Sequence, residues 1–396
     1  MDSRKKYRKT LIACYLGFVT QAICSNFAPL LFLTFHRSYG IGFDKLALIS
    51  AVYFLTQLLV DLVCAEAADR LGYRACITAS EILSGLGLAG LAVVPELCAS
   101  PFAGILLSVV LYAAGCGLIE VLASPIVEAC PFENKAGMMS LLHSFYCWGS
   151  VAVVLGSTAL FAIFGIESWR SLAVLWALVP LANIYNCLTC PMEPLVEEGE
   201  GMSLRALVRE KTFWLFIVLM VCAGASELAM AQWASAFAES ALRVSKAVGD
   251  LAGPCAFAVC MGVSRVLYSR LGERVDLTLY MAGSGVLCLG CYLLAGLAQL
   301  PLLGLIGCAV CGFSVGIMWP GSISLSARTL PKGGTALFAL LALAGDLGGA
   351  AGPTIIGSIS QRAGEDLRAG ILAGLGFPLV LVICVLTVRK TYGKTK

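Results

Sequence analysis

Titratable side chains interrupt several long apolar stretches of this chain. Glu120, Glu227 and Asp346 are acidic, and His143 is one of only two histidines. Charged groups inside apolar stretches are costly to bury, and they commonly mark the path of an ion or a substrate. A buried carboxyl or imidazole can bind and release a proton when its access to water changes. These four residues therefore predict proton exchange or cation binding, and hydrogen-bonded helix packing is the structural alternative for each.

Neutral polar and aromatic residues accompany the titratable ones. Amides form hydrogen bonds with hydroxyl groups, and flat rings stack on sugar C–H faces or on cations, although they also anchor membrane interfaces. Trp319 precedes Pro320, where a helix bend is predicted. Arg265 and Arg243 are assigned to span ends, so no basic residue is predicted in the middle of a span. This favours neutral substrates, with cations second. The further candidates for solute binding are Gln21, Asn26, Tyr146, Trp148, Gln232, Trp233 and Trp319.

Membrane-spanning helices are the elements that must position these residues. The chain has 59% hydrophobic and 13% charged residues, about half the charged fraction of roughly 25% in a typical soluble protein. Apolar stretches of about 20 residues, enough to cross a hydrocarbon core of about 30 Å, recur along the whole length. Twelve spans are predicted, at 10–36, 45–66, 75–97, 102–128, 137–164, 168–190, 212–238, 247–269, 275–298, 301–325, 334–360 and 367–388.

The two halves of the chain repeat one another. DRLGYR at 69–74 follows the second apolar stretch, and SRLGER at 269–274 follows the eighth. Gly117 and Pro125 recur with the same spacing as Gly312 and Pro320. The predicted fold is therefore an all-α membrane protein of two six-helix bundles related by pseudo-twofold symmetry, and such repeats bind ligands at their interface. The predicted domains are a bundle at 1–191, a cytoplasmic linker at 192–211 and a bundle at 212–396.

The charge distribution and the motifs limit the possible functions. Most of the 27 Lys and Arg fall on one side of the predicted spans, which places both termini in the cytoplasm of a multi-pass protein of the bacterial plasma membrane. The chain has neither a P-loop nor an HExxH zinc motif, and it is not expected to be an enzyme. No metal, cofactor or nucleic acid is predicted. The expected partners are a small solute, protons and the lipid bilayer, for a protein that acts as a monomer. The 18 cysteines are interpreted as small apolar packing residues.

The loop AxxxDRxGYR at 65–74, its echo after span 8 and the six-plus-six spans resemble the major facilitator superfamily. The resemblance covers the whole chain, although Ala65 stands where the family loop usually begins with Gly. It implies alternating access, with the loop aspartate, here Asp69, meeting the start of span 11 in the outward-facing state. A carboxylate is favourable at a helix N-terminus, and loop arginines can bridge neighbouring helices. The gating residues expected on this basis are Asp61, Asp69, Arg70, Arg74, Arg270 and Arg274.

IEVLASP at 119–125 and LLHSFYCWGS at 141–150 resemble the fucose permease branch, which contains proton-coupled sugar symporters. This resemblance assigns the span-4 glutamate of that branch to Glu120 and a substrate-contacting position to the region of His143. Ser25 in QAICSNFAP stands where an aspartate is expected, so Glu227 or Asp346 is expected to supply the second acid. The predicted function is proton-coupled uptake of a small neutral solute such as a sugar. The alternative is a proton antiporter that exports lipophilic or cationic compounds, because GAAGPTIIG at 349–357 is similar to an antiporter motif.

Overall fold

The structure is a computed structural model that describes residues 3–41, 43–193, 202–240, 243, 251–272, 274–364 and 366–392. Within these ranges the secondary structure is helical, with no strand. Seven helices precede the linker region, with one 3₁₀ turn at Ile166–Ser168. They are α1 Ser3–Leu30, α2 Phe32–Tyr39, α3 Phe43–Leu71, α4 Tyr73–Leu97, α5 Pro101–Ala129, α6 Lys135–Phe164 and α7 Trp169–Thr189.

The second half of the described chain begins with a short linker helix. Its N-cap Ser203 accepts a hydrogen bond from the backbone of Ala206, which satisfies one of the free amides of the first turn. A π-helical turn at Leu251–Cys255 precedes α10. The helices are α8 Leu204–Arg209, α9 Lys211–Ser240, α10 Ala256–Leu271, α11 Leu277–Leu297, α12 Pro301–Val315, α13 Met318–Thr329, α14 Gly334–Arg362, α15 Leu367–Ala373 and α16 Gly376–Tyr392.

The predicted spans correspond to these helices. In the part of the chain that the structure describes, 11 helices are long and apolar enough to cross a membrane, and Val52–Cys64 is a shorter apolar segment within α3. Three spans predicted as single helices are interrupted, at Leu31, at Gly316–Ile317 and at Gly374–Leu375. The first two interruptions lie close to Pro29 and Pro320. Proline interrupts a helix because it has no N–H for the helical hydrogen bond.

The described chain divides into two compact units. The first comprises Met1–Phe132, Phe145–Glu200 and Gly334–Ala339, and the second comprises Glu133–Ser144, Gly201–Gly333 and Leu340–Lys396. His143 thus belongs to the second unit, whereas Tyr146 and Trp148 of the same helix belong to the first. Which segments form the two moving bodies, predicted from the sequence as 1–191 and 212–396, stays a prediction.

The same helix pairs pack together in each unit. In the first unit α5 packs against α1, α3 and α4, and α7 packs against α1 and α4. In the second unit α12 packs against α9, α10 and α11, and α16 packs against α9 and α11. With the helices taken in order, the second set repeats the first. The repeat seen in the sequence is therefore a repeat of the packing pattern.

Two equivalent glycines make the same helix contact in the two units. A Cβ added to Gly117 would lie 2.9 Å from Val60 Cβ and 3.3 Å from Gln57 Cα of α3. A Cβ added to Gly312 would overlap the backbone of Phe257 in α10, with the carbonyl carbon 2.8 Å away. Phe257 has the same position relative to SRLGER that Gln57 has relative to DRLGYR. Glycine is thus required at both positions because one helix lies directly against the next.

Candidate functional site

Glu120 lies at the centre of a polar cluster in the first unit. Its Oε2 atom accepts hydrogen bonds from Gln21 Nε2 at 2.8 Å and from Gln57 Nε2 at 3.2 Å. These residues come from α5, α1 and α3, so the cluster joins three helices. Both glutamines are buried, whereas Glu120 is partly exposed. Glu120 is therefore the most exposed of these three residues.

Neutral donors and acceptors extend the cluster along α1 to α6. Asn26 Nδ2 donates to Ser25 Oγ at 3.0 Å and to Ser150 Oγ at 3.1 Å. The Ser25 and Tyr146 hydroxyl oxygens lie 3.2 Å apart. Ser25 follows Gln21 by four residues, so both lie on one face of α1. We call Gln21, Ser25, Asn26, Gln57, Glu120, Tyr146 and Ser150 the Glu120 cluster; it contains a single ionisable carboxyl among amides and hydroxyls.

Gly117→Ala is expected to disturb this cluster through the contact between α5 and α3. The added methyl would displace Gln57, whose bond to Glu120 is already 3.2 Å long. Overpacking of this kind costs about 1–3 kcal/mol of stability. Thermal unfolding in detergent measures the cost. Gly156→Ala is the matched control, because its Cβ would meet Trp176 at an ordinary 3.6 Å. Equal stability of the two variants would show that Gly117 does not set the spacing of these helices.

Arg265 is the principal polar residue of the second unit that sequence reasoning missed. Its side chain is only 4% exposed, and its Nη2 lies 3.3 Å from Glu227 Oε2. Arg265 Nε donates to the Gly316 carbonyl and Nη1 to the His143 carbonyl, each at 2.9 Å. The prediction that the spans lack an interior base was wrong at this position. A long arginine side chain carries its charge several ångströms from its own backbone, and here it reaches Glu227.

Gly345 of α14 packs against Trp319 and directly precedes Asp346. A Cβ added to Gly345 would meet the Trp319 ring, with Cζ2 2.9 Å away, and a Cβ added to Gly224 of α9 would meet the backbone of Gly345, with its carbonyl carbon 2.9 Å away. Asp346 is the next residue of α14, and its buried Oδ2 atom has no hydrogen-bond partner among the described residues. Trp319 is partly exposed, and it is the second residue of α13, just after the predicted bend. The second unit thus places an aromatic ring against Gly345, the residue that precedes an incompletely bonded carboxyl.

The other predicted binding residues are dispersed. Trp233 Nε1 donates to the Pro353 carbonyl at 2.9 Å, which ties α9 to α14. Trp148 is 37% exposed and is two residues from Tyr146, so it faces a different side of α6 from the cluster. The side chain of Gln232 lies outside the described part of the chain. The predicted Glu120–His143 pair stays a prediction, because the two residues belong to different units.

Glu81 is a second buried acid of the first unit, separate from the Glu120 cluster. It is fully buried in α4, where its two carboxylate oxygens accept hydrogen bonds from Thr20 at 3.1 Å and Asn183 at 2.8 Å. These partners come from α1 and α7. Because both oxygens are engaged within the helix packing, Glu81 fits a structural role better than a binding role.

The residues predicted to act in gating lie around the repeated loops. Arg74 donates to the carbonyls of Cys187, Leu188 and Cys190, and so satisfies the C-terminal end of α7. The Tyr73 and Thr335 hydroxyl oxygens lie 2.5 Å apart within the first unit, which places this loop at the first turn of α14. Asp61 is fully buried, and Arg270 and Arg274 are exposed. The side chains of Asp69 and Arg70 lie outside the described residues, so their gating role stays a prediction.

Two sequence patterns with possible chemistry have structural explanations. Among the described residues no group of three or more His, Cys, Asp or Glu could hold a metal ion. Cys288 and Cys311 Sγ atoms lie 3.9 Å apart as free thiols in apolar packing. GFSVG at 312–316 has the spacing of a nucleophile elbow, but it ends helix α12 instead of joining a strand to a helix. Ser314 Oγ donates to the Cys311 carbonyl at 2.7 Å.

Comparison with known proteins identifies the family. The Major Facilitator Superfamily model matches residues 13–353 and 255–395. The chain belongs to the major facilitator superfamily. It is accordingly a transporter with the architecture of that family, and not an enzyme. No curated protein sequence matched this facilitator significantly.

Solved structures show the same fold at low sequence identity. This facilitator is 16% identical to the Escherichia coli fucose:proton symporter FucP, with a TM-score of 0.78 over 97% of this chain and 99% of that one. It is 12% identical to the proton:xylose symporter XylE, with a TM-score of 0.83 over 98% of this chain and 96% of that one. It is 16% identical to the human organic anion transporter MFSD10, with a TM-score of 0.70 over 97% of this chain and 100% of that one. At these identities the likeness establishes the fold alone.

Four members of the site were absent from the sequence-based selection, and one of them, Ser25, had been noted only because it stands where an aspartate is expected. Gln57 and Ser150 complete the Glu120 cluster, and Arg265 pairs with Glu227. Gln57 lies in an apolar run and carries no charge, so only its contact with α5 distinguishes it. One feature of the sequence could have indicated the role of Arg265. Pro320 leaves the Gly316 carbonyl without its helical donor, and a nearby basic residue is a natural replacement.

Proposed function

We propose that this facilitator takes up a small neutral polyhydroxy solute, most simply a sugar, together with a proton. The Glu120 cluster is the observation that carries the proposal. It offers amide and hydroxyl groups that can exchange their mutual hydrogen bonds for bonds to a solute. It contains one partly exposed carboxyl that can bind and release a proton. Two structural neighbours, a fucose:proton and a proton:xylose symporter, support the same substrate class.

Proton-coupled uptake in this proposal depends on access to Glu120. When the site opens to the outside, Glu120 binds a proton and the neighbouring amides bind the solute. When the site opens to the cytoplasm, both are released, as alternating access requires. Before the solute binds, Gln21 and Gln57 donate hydrogen bonds to the carboxyl and hold it in place. His143, Glu227 and Asp346 are further candidates for proton transfer in this scheme, and the predicted substrate-binding set is otherwise retained as a proposal.

Export of a cation in exchange for protons is the second candidate. The buried Asp346 oxygen without a hydrogen-bond partner among the described residues favours it, because a cationic substrate would complete the site. Trp319, which packs against the preceding residue Gly345, supplies an aromatic ring of the kind that binds cations. In this scheme the second unit, and not the Glu120 cluster, holds the substrate.

A ligand screen on the purified protein is the experiment that tests the proposal. Neutral sugars, polyols, nucleosides and lipophilic cations are added at acidic and neutral pH, and thermal unfolding is followed. A ligand that binds the folded state raises the unfolding temperature by mass action. We expect stabilisation by a sugar, and alkalinisation of the medium when proteoliposomes take it up. Stabilisation by cations alone, or uptake indifferent to a pH gradient, would contradict proton-coupled sugar uptake.

A further inference from the structure

Arg265 is bound on all three nitrogens of its guanidinium group. Nε and Nη1 donate to the carbonyls of Gly316 and His143 at 2.9 Å, and Nη2 contacts Glu227 at 3.3 Å. The side chain is 4% exposed. A guanidinium that is this buried and this fully engaged is poorly placed to bind a solute. Its contacts instead link α10 to α9, to the start of α6 and to the end of α12.

The contact with Gly316 lies at the interruption between α12 and α13. In a continuous helix the Gly316 carbonyl would accept from residue 320, but Pro320 has no N–H. Arg265 Nε supplies the missing donor. The close packing of Gly316 on α10 makes this possible, because a Cβ there would lie 2.8 Å from Ser264 Cβ. An unbonded buried carbonyl at this position would be costly. Arg265 therefore stabilises the interrupted form of the helix.

Trp319 depends on the same interruption for its position. It lies between Gly316 and the continuation of α13, and its ring packs on the backbone of Gly345 in α14. If the Gly316 carbonyl lost its donor, the direction of α13 would no longer be fixed at this point. The Glu227 side chain is only 13% exposed, and its Oε2 atom lies 3.3 Å from Arg265 Nη2. The two carbonyl bonds are shorter than this ion-pair contact.

We propose that Arg265 is a positioning residue, which sets the place of Trp319 by donating to the carbonyls of Gly316 and His143. Glu227 balances the charge of Arg265, and it is the carbonyl bonds that hold the helix interruption in place. Arg265 thus fixes the orientation of Trp319 whatever the transported solute is. Only the effect of this orientation on transport rests on the proposed function.

The test measures the fluorescence of Trp319 without any ligand. Emission and acrylamide quenching of each variant are compared with the same variant carrying Trp319→Phe, so that the difference reports Trp319. Arg265→Lys keeps the charge near Glu227, but a single ammonium cannot reproduce the planar, three-directional set of bonds. We expect Arg265→Lys and Arg265→Gln to shift the Trp319 emission and increase its quenching. We expect Glu227→Gln to leave both unchanged.

Controls separate positioning from charge balance and from misfolding. Arg270→Lys changes an exposed arginine of the same helix and should leave the Trp319 signal unchanged. In Arg265→Gln the buried Glu227 carboxylate loses its charged partner, which could prevent folding. The double variant Arg265→Gln with Glu227→Gln removes that carboxylate, so the test is made on the double variant if Arg265→Gln alone does not fold. An unchanged Trp319 signal in Arg265→Lys or in the double variant would overturn the proposal. Because the fluorescence is measured without a solute, the result does not depend on whether the protein transports a sugar.

Discussion

Gly348→Ala is expected to lower the free energy of unfolding by about 3 kcal/mol or more, at the upper end of overpacking changes. A Cβ at this position would overlap the carbonyl oxygen of Val221 in α9, with Val221 C at 2.8 Å and Cα at 2.9 Å. The obstruction is backbone, so no side chain can rotate away to make room. The helices α9 and α14 must separate instead, and Gly345 and Gly352 would lose their contacts with α9 as well.

Thermal or chemical unfolding in detergent measures this loss, and Gly283→Ala is the matched control. Gly283 lies inside helix α11 of the same unit, and a Cβ there meets nothing within 4 Å. Replacing a helical glycine by alanine without a clash stabilises by about 0.4–1 kcal/mol, because the unfolded chain loses freedom. The two variants should therefore change stability in opposite directions. If Gly348→Ala were as stable as Gly283→Ala, the close contact of α9 and α14 would be disproved.

The helices could be predicted from the sequence because their signal is local. Long apolar stretches locate the spans, and the repeated loops order them into halves. The small residues of segment 345–358 permit close packing or bending of a helix, and the structure shows close packing against α9. The sequence could not name the helix that packs there, because Gly, Ala and Ser permit contact without selecting a partner.

The interior polar contacts could be predicted only in part. Glu120, Gln21, Asn26 and Tyr146 were identified as candidates because polar residues inside apolar stretches are conspicuous. Arg265 was misjudged because a position near the end of a span indicates where the backbone lies, not where a long side chain reaches. The break before Trp319 was predicted from Pro320, but the donor that stabilises it comes from another helix and leaves no local pattern.

The two units share one packing pattern but differ in chemistry at equivalent positions. Glu120 follows Gly117 by the same interval at which the apolar Val315 follows Gly312. Relative to the repeated loops, Gln57 corresponds to Phe257, and Ala65 corresponds to Arg265. The hydrogen-bonding acid is thus present in the first unit and the buried base in the second. The two units thus share a backbone arrangement but carry different side chains, as the roles proposed for Glu120 and Arg265 require.

Glu120→Gln is expected to abolish accumulation of the solute against its gradient while leaving exchange of solute across the membrane intact. Glutamine keeps the shape of the side chain, and its carbonyl oxygen can still accept from Gln21 and Gln57, but it cannot bind and release a proton. Because both of these hydrogen bonds are kept, the affinity for the solute should change by less than about fivefold, which is the equivalent of one hydrogen bond of about 1 kcal/mol. Proteoliposomes with an imposed pH gradient measure accumulation, and counterflow without a gradient measures exchange. The solute is the sugar that stabilises the wild-type protein in the ligand screen.

Glu81→Gln is the control that makes this result specific to Glu120. The substitution is chemically identical, lies in the same unit and removes a carboxyl that is fully buried among Thr20 and Asn183. We expect it to lower thermal stability without abolishing accumulation, because Glu81 contacts helix partners and not the Glu120 cluster. If Glu120→Gln still accumulated solute and alkalinised the medium, Glu120 would not be the coupling residue. If Glu81→Gln alone lost accumulation while remaining folded, the proton would pass through the α1, α4 and α7 contact instead.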